Sequence, residues 1–516
     1  MKLHTLALAT LLVASPTFAL AATEKPPAHA EAGIDWYKGD VDSAFRYAKK
    51  HNKPLFLYWG AVWCPPCNQV KATVFNRQGF IERSRFFVPV HIDGDSPSAQ
   101  KLGARFKVRG YPTMILFSPD GNEITRLPGE VDSERYLQVL ELGMNAGHSV
   151  KDTLQVALTD GSKLSADDWR LLAYYSWDTS EQQILSDKEL PKDLQHLAAN
   201  CPPGDSATHL ALTALVAAAS AAPEDVPTMD KTAATALLLK VLGDQRVARD
   251  NMDILTNYSA DLTKLVSEPG SDSRKQLNEA WNTALERLAD DTTLSKADRI
   301  SAIDAKVQLA RLDTPEGALN PALLQEVKDR VAAVDQATTD TYERQSVISN
   351  AGHTLSDAGL IDESDTLLKA ELKRSHSPYY FMLSLASNAK KRGDNKAALD
   401  WYEQAYDTSK GPATRLQWGS AYLGGLLELS PEDEKRIDKA ATSVIAELGD
   451  TQNAFYERNR AVLEKLGKKF QTWNTLGQHD AEFQKVHHQL DGICGKLPAG
   501  DPQRATCSTL FTSAKS

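Results

Sequence analysis

The run Pro54-Leu55-Phe56-Leu57-Tyr58-Trp59 is short, apolar and aromatic, and Gly60-Ala61-Val62-Trp63-Cys64-Pro65-Pro66-Cys67 follows it without a break. Such a run reads as a buried strand, and residues 68–75 have helical spacing. Two cysteines two residues apart at a helix start reach disulfide geometry without moving the backbone. A strand feeding a cysteine pair and then a helix commits this part of the chain to an α/β layer structure.

Cys64 stands at the N-terminal end of the helix, where unpaired amides and the helix dipole favour a thiolate. It is the expected nucleophile. Cys67 lies one turn deeper and is the expected resolving thiol. Pro65 and Pro66 preset helical dihedrals but carry no N–H, so two donors to the thiolate are missing. The expected consequence is a weaker depression of the Cys64 pKa than in strong oxidants, and a more reducing pair. Two other uses of a CxxC are a zinc half-site and a structural bridge. Zinc wants four ligands, and no second CxxC or nearby Cys/His spacing completes a site, so no metal is expected. His487-His488 reads as a solvated helix face.

Around this motif, 42–51 reads as a helix, 86–92 as a second strand and 99–106 as a helix. Strands at 113–117 and 123–127 are joined by Pro119-Asp120-Gly121-Asn122, whose Pro and Gly supply turn dihedrals. A closing helix at 133–144 takes Ser133 as its N-cap. The order α-β-α-β-α-β-β-α is an α/β sandwich around one sheet.

These residues resemble a known family. Trp63-Cys64-Pro65-Pro66-Cys67 follows a strand, Ile92-Asp93 ends the next one, and Gly110-Tyr111-Pro112-Thr113 precedes a third, with Asp120-Gly121 after it. The entry segment from Asp42-Ser43-Ala44-Phe45 to Asn52-Lys53-Pro54 fits as well. Residues 34–146 are similar to a thioredoxin-fold domain, in the periplasmic branch that includes the C-terminal domain of the disulfide-reductant conductor DsbD. The resemblance implies an α/β thioredoxin fold and thiol–disulfide exchange with protein substrates. It implies catalytic Cys64 and Cys67, a cis-proline at Pro112, and a substrate groove framed by Trp63, Tyr111 and Pro112. The redox-active disulfide is then the working group with no added cofactor, reductase or isomerase is favoured over oxidase, and a reductive role needs a membrane electron donor of the disulfide pathway. Two positions depart from the family. Tyr58 replaces the buried acid that many thioredoxins place six residues before the first cysteine, and Pro89 replaces a common lysine.

The N-terminus reads as an address. Lys2, an apolar stretch over 5–15 and Ala19-Leu20-Ala21 make residues 1–21 a signal peptide cleaved after Ala21. Residues 22–33 read as an Ala/Pro/Glu-rich linker. No later run has the ~18 apolar residues of a membrane helix, so a periplasmic protein without membrane insertion is expected. A net charge of -10 argues against nucleic acid as a partner, since phosphates need a basic surface.

Residues 147–516 read as all-α, with Ala/Leu-rich helical segments at 208–222, 231–248, 273–289, 298–312, 320–337, 342–358 and 433–466. Gly359 and Gly393 are 34 residues apart, as are Pro378 and Pro412, so 346–412 resembles tetratricopeptide repeats. Ser364 and Glu371 occupy positions where that repeat expects small residues. Cys494 and Cys507 flank a Gly/Pro-rich stretch and are expected to form a structural disulfide closing a tail over 490–516. Cys201 is the odd cysteine, expected free or buried. A second overall reading makes the helical region the working part, a scaffold or chaperone with an accessory thioredoxin domain.

Overall fold

The computed structural model describes residues 33–511 except 109, 128, 130–131, 178–183 and 316. The expected signal peptide and nearly all of the linker lie outside the described residues. From the N-terminal side, the elements are α1 (Val41–His51), β1 (Leu55–Gly60), α2 (Pro65–Val70), α3 (Gln78–Arg83), β2 (Val88–Asp93), α4 (Ala99–Phe106), β3 (Thr113–Phe117), β4 (Glu123–Leu127) and α5 (Ser133–Met144). The sheet order is β2-β1-β3-β4, with β1 parallel to β2 and antiparallel to β3, and β3 antiparallel to β4. This is the thioredoxin-like α/β arrangement expected from the sequence.

Every residue of β1 is buried, because helices cover both faces of the sheet. Side chains alternate across the strand. Phe56 and Tyr58 join Val70, Phe75, Phe80 and Tyr136 on one side. Leu57 and Trp59 join Ala44, Ala48, Ala99 and Phe106 on the other. The strand therefore aims its C-terminal end, and the cysteine motif after it, between the two layers.

Local chemistry sets several element ends. The helix after the motif is α-helical only to Val70 and continues as a π-helical turn over Lys71–Phe75. Ser133 is not the cap of α5. Asp132 is, its carboxylate accepting from Glu134 N at 2.9 Å, and Ser133 becomes the first helical residue.

The remainder is mostly helical, and the sequence-read segments recur with two breaks. The segment 231–248 divides at Asp244, which caps a second helix by accepting from Val247 N. The segment 433–466 divides into Glu434–Asp450 and Glu457–Trp473. Asn453 adopts a left-handed φ of 56° in that gap, which an α-helix cannot continue through. Its side-chain amide donates to Pro97 O at 2.8 Å, so the break is a docking point on the α/β domain.

Between 341 and 429, five helices follow one another as hairpins: Thr341–Asp357, Ile361–Glu371, Pro378–Lys391, Asn395–Thr408 and Pro412–Leu429. Gly359 and Gly393 both take left-handed φ values, 84° and 76°, in the turns between them. The two departures from a small-residue pattern are buried and bonded. Ser364 donates to Gly352 O at 2.7 Å, and Glu371 pairs with Arg344 at 2.6 Å. Cys494 and Cys507 are joined, and Cys201 is free and buried, its thiol pushed by burial up to about 11.

Candidate active site

β1 delivers Trp63, Cys64 and Cys67 to the start of α2. Cys64 and Cys67 are disulfide-bonded, with Cα atoms 5.2 Å apart. Cys64 is the N-cap, and its Sγ accepts from Cys67 N at 3.1 Å. That amide is the first one the two prolines leave available. The Tyr111–Pro112 peptide is cis. Tyr111 packs against the cluster that holds both cysteines, and its ring stands edge-on to Trp63 with centroids 6.0 Å apart. The named groove residues Trp63 and Tyr111 are thus brought together beside the sulfurs.

Tyr58, at the expected acid position, is fully buried and stacks on His91 with centroids 4.8 Å apart. A Cβ on Gly60 would meet the Tyr58 hydroxyl at 2.4 Å, so the glycine gives the ring its room. The position is aromatic packing where many thioredoxins hold a carboxylate. Pro89 pairs with Phe56 across β2 and β1.

The groove is closed. Cys64 is 2% exposed, Cys67 0% and Trp63 7%. What covers them comes from the helical region. Trp418 meets Trp63 edge-on at 4.7 Å between centroids, and Tyr380 stacks on it at 6.0 Å. Tyr379, Met382 and Ala405 complete the apolar cluster around the disulfide. Polar bonds lock this arrangement. Trp63 Nε1 donates to Thr414 Oγ1 at 2.8 Å. Thr414 in turn donates from N and Oγ1 to the Asp95 carboxylate, at 2.8 and 2.6 Å. Gln345 donates to Trp63 O at 3.3 Å, and His376 Nε2 to Val62 O at 3.1 Å. Gly411, with φ 93°, lies against the Asp95 carboxylate, which a Cβ would meet at 2.3 Å.

Electrostatics follow from this burial. Burial raises the Asp95 pKa, while the two Thr414 bonds oppose the rise and nearby Asp93 adds to it. Burial lowers the His376 pKa against the bond to Val62 O, which keeps the imidazole neutral at pH 7. Arg458 sits over the faces of Trp63 and Tyr111, its Cζ 5.5 and 5.0 Å from their ring centroids.

A second seam runs along α2. Gln69 donates to Asp298 Oδ1 at 2.6 Å and to Ser295 Oγ at 3.1 Å, both at the start of helix Lys296–Asp313. Burial pushes the Asp298 carboxyl up to about 6, against the opposing bonds from Ser295 and Gln69. An acid with a raised folded-state pKa stabilises the fold fully below its unfolded value. That contribution is lost as pH rises through about 6. A rise of this size is worth on the order of 2–3 kcal/mol. Asp298→Asn is therefore expected to flatten the fall in thermal stability between pH 4 and pH 7.5, read by calorimetry. An identical pH dependence in both chains would contradict this.

Among the described residues, Asp304, His353 and Asp357 have ligand atoms within 4.8 Å of one another. Both oxygens of Asp357 are already engaged, Oδ1 accepting from Lys391 Nζ at 2.8 Å and Oδ2 from Gln308 Nε2 at 2.5 Å. The second such group, Glu434, His479 and Glu482, is outside the site, and His479 stacks flat on Trp473.

Sequence reasoning does not single out Asp95, Gln345, His376, Tyr379, Tyr380, Thr414, Trp418 or Arg458 as site residues. Their only sequence signal is apolar or polar spacing on helices, which names a buried face but not its partner.

The thioredoxin-like domain family matches residues 41–143. Over 103 residues the chain is 30% identical to "Thiol:disulfide interchange protein DsbD" of Pseudomonas fluorescens, covering 19% of this chain and 18% of that protein. Over 97 residues it is 28% identical to "Thiol:disulfide interchange protein DsbD 1" of Pseudomonas aeruginosa, covering 18% of this chain and 16% of that one. The chain thus spans less than a fifth of the length of these relatives. Among solved structures, a thioredoxin from Thermus thermophilus is 27% identical, covering 21% of this chain and 85% of that one, with a TM-score of 0.20. Residues 41–143 are a thioredoxin-like domain with DsbD-like relatives and a Cys64–Cys67 pair, joined to a large helical region.

Proposed function

We propose that the chain is a periplasmic thiol–disulfide oxidoreductase acting on protein substrates in the reductase or isomerase direction. The observation that carries the reading is the Cys64–Cys67 disulfide at a helix start, with Trp63 and Tyr111 packed against it, in a domain with DsbD-like relatives. In the reduced enzyme, the Cys64 thiolate attacks a substrate disulfide. A Cys64–substrate disulfide forms and one substrate thiolate leaves. The Cys67 thiolate then attacks Cys64 Sγ, restoring the Cys64–Cys67 disulfide and releasing the second substrate thiolate. Two electrons pass from the dithiol to the substrate, and the sulfurs are the only redox group this cycle needs. A membrane electron donor of the disulfide pathway would reduce the pair again. Trp63, Tyr111 and Pro112 would frame the substrate chain. Among the described residues no helix is long and apolar enough to cross a membrane.

One observation favours a role for the helical region beyond a passive support: it covers the disulfide with its own aromatic side chains. That region therefore decides which partners reach Cys64. A scaffold or chaperone with an accessory thioredoxin domain is the alternative, and it predicts cellular function without either cysteine. The deciding measurement is the reduction potential of the pair in thiol buffers, followed through Trp59 and Trp63 fluorescence. A value near about -270 mV is the expected result, and one near about -120 mV would overturn the direction. Trapping with Cys67→Ala should leave substrate proteins disulfide-bonded to Cys64.

A further inference from the structure

Arg458 is the second residue of helix Glu457–Trp473 and comes from the far end of the chain. Its guanidinium lies over the rings of Trp63 and Tyr111, the residues beside Cys64 and before cis-Pro112. Its Nε donates to the neutral Gln417 Oε1 at 2.8 Å. Among the described residues no carboxylate forms an ion pair with it, although ion pairs hold most of the arginines nearby. Arg415 has Glu447, Arg436 has Glu403, and Arg460 has Glu464. Placing a cation away from water without an opposite charge is costly. Aromatic faces offset part of that cost, and burial still lowers the Arg458 pKa.

The structure holds the pair as a disulfide, in which both sulfurs are neutral. Reduction changes the charge of the site, because Cys64 then becomes a thiol that can ionise. Lys71, in the turn that continues the motif helix, is a second cation near the site, 5.7 Å from the Tyr342 ring centroid; the remaining ionisable groups around this cluster cannot balance that anion. Asp93 and Asp95 carry the same sign as a thiolate, His376 is held neutral by burial, and Tyr111, Tyr379 and Tyr380 have phenol pKa values raised by burial. Pro65 and Pro66 remove two amide donors, leaving Cys67 N as the one that reaches Cys64 Sγ. A site poor in donors and edged by carboxylates needs a cation if its thiol is to ionise near neutral pH.

We propose that Arg458 is the counter-ion of the reduced Cys64 thiolate, so that the helical region supplies the charge that activates the thioredoxin-like domain. The proposal rests on the oxidoreductase reading and deepens it. Docking of the helical region and ionisation of Cys64 become coupled. The same contact that covers the pair makes its reduced form more stable and its nucleophile more reactive. Arg458 thereby works against the two prolines, which alone favour a more reducing pair.

The test uses the full chain. In a Cys67→Ala background, Cys64 titrates without its partner, and thiolate formation is followed by ultraviolet absorbance. The only other free thiol, Cys201, is buried, and burial pushes it up to about 11, away from the range expected of Cys64. Arg458→Gln is expected to raise the Cys64 pKa by about one unit, and Arg458→Lys by less, since an opposite charge nearby lowers a pKa by ~1–3 units. With both cysteines present, Arg458→Gln should make the pair more reducing by up to about tenfold in equilibrium constant, or ~30 mV. Circular dichroism checks that each variant is folded. An unchanged Cys64 pKa in folded Arg458→Gln overturns the proposal while leaving exchange activity, and hence the oxidoreductase reading, intact. A pair that never equilibrates with thiol buffers in the unsubstituted chain sinks the oxidoreductase reading instead. If Arg458→Gln does not fold, the unsubstituted Arg458 decides: a Cys64 pKa at or above the ordinary thiol value of about 8.5 overturns the proposal.

Discussion

Cys64→Ser is expected to reduce thiol–disulfide exchange to the background of the assay while leaving the thermal unfolding midpoint of the reduced chain nearly unchanged. The reason lies in the roles of the two sulfurs. Cys64 caps the helix and receives the Cys67 amide, so it is the sulfur that a thiolate-stabilising environment acts on. A serine hydroxyl still caps the helix well but cannot form the mixed disulfide through which exchange proceeds. Cys67→Ser should behave differently, because its Cys64 remains a nucleophile. It should accumulate mixed disulfides, visible by non-reducing electrophoresis and mass spectrometry. Equal residual exchange in the two variants would contradict the assignment of Cys64 as nucleophile.

The second large effect is expected at Trp418. This side chain is fully buried, meets Trp63 and Tyr379 edge-on, and donates from Nε1 to Tyr379 O at 2.9 Å. Truncating a buried tryptophan to alanine costs about 3–5 kcal/mol. Part of that loss falls on the contact that covers the disulfide. Every 1.4 kcal/mol taken from the covered state multiplies the uncovered population tenfold. Reduction of the Cys64–Cys67 disulfide by a small dithiol should therefore accelerate at least about tenfold in Trp418→Ala, measured by stopped-flow tryptophan fluorescence. Thr414→Val removes the Trp63 bond and the hydroxyl bond to Asp95, leaving the backbone bond to Asp95, with little change in volume. It should accelerate reduction in the same direction without a large loss of helical signal. Unchanged reduction rates in both variants would mean that the helical cover does not control access to the sulfurs.

The α/β domain is legible in the sequence because its signals are local. An apolar strand, a cysteine pair at a helix start and a Pro-Asp-Gly-Asn turn each act within a few residues. Two departures from expectation each have a cause. Asp132 outcompetes Ser133 as the cap of α5, since its carboxylate reaches Glu134 N. The long helix expected over 433–466 breaks because Asn453 turns left-handed and docks on Pro97. A periodic pattern reports a buried face, and it continues across a break that is set by a distant surface.

Access to the site is not legible in the same way. Trp63 and Thr414 are 351 residues apart and share a hydrogen bond. Helical periodicity marks the apolar positions of Pro378–Lys391 and Pro412–Leu429, yet the same stripe could cover another helix as readily as a redox pair. Arg458 reads in the sequence as one more basic residue on a charged helix, and only its neighbours make it a cation set over two aromatic rings.

The covalent chemistry of this protein was determined by the sequence alone: two sulfurs at disulfide spacing, a helix start that holds them, and two prolines that withdraw amide donors. Those properties depend on bonds and dihedrals within one turn of chain. Whether the sulfurs can be reached, and what charge faces them, was decided by the tertiary structure. Exposure and electric field are sums over groups brought together by packing, and most of the groups around Cys64 arrive from more than 280 residues away, as Gln345 at 282 and Thr414 at 351 residues from Trp63 do.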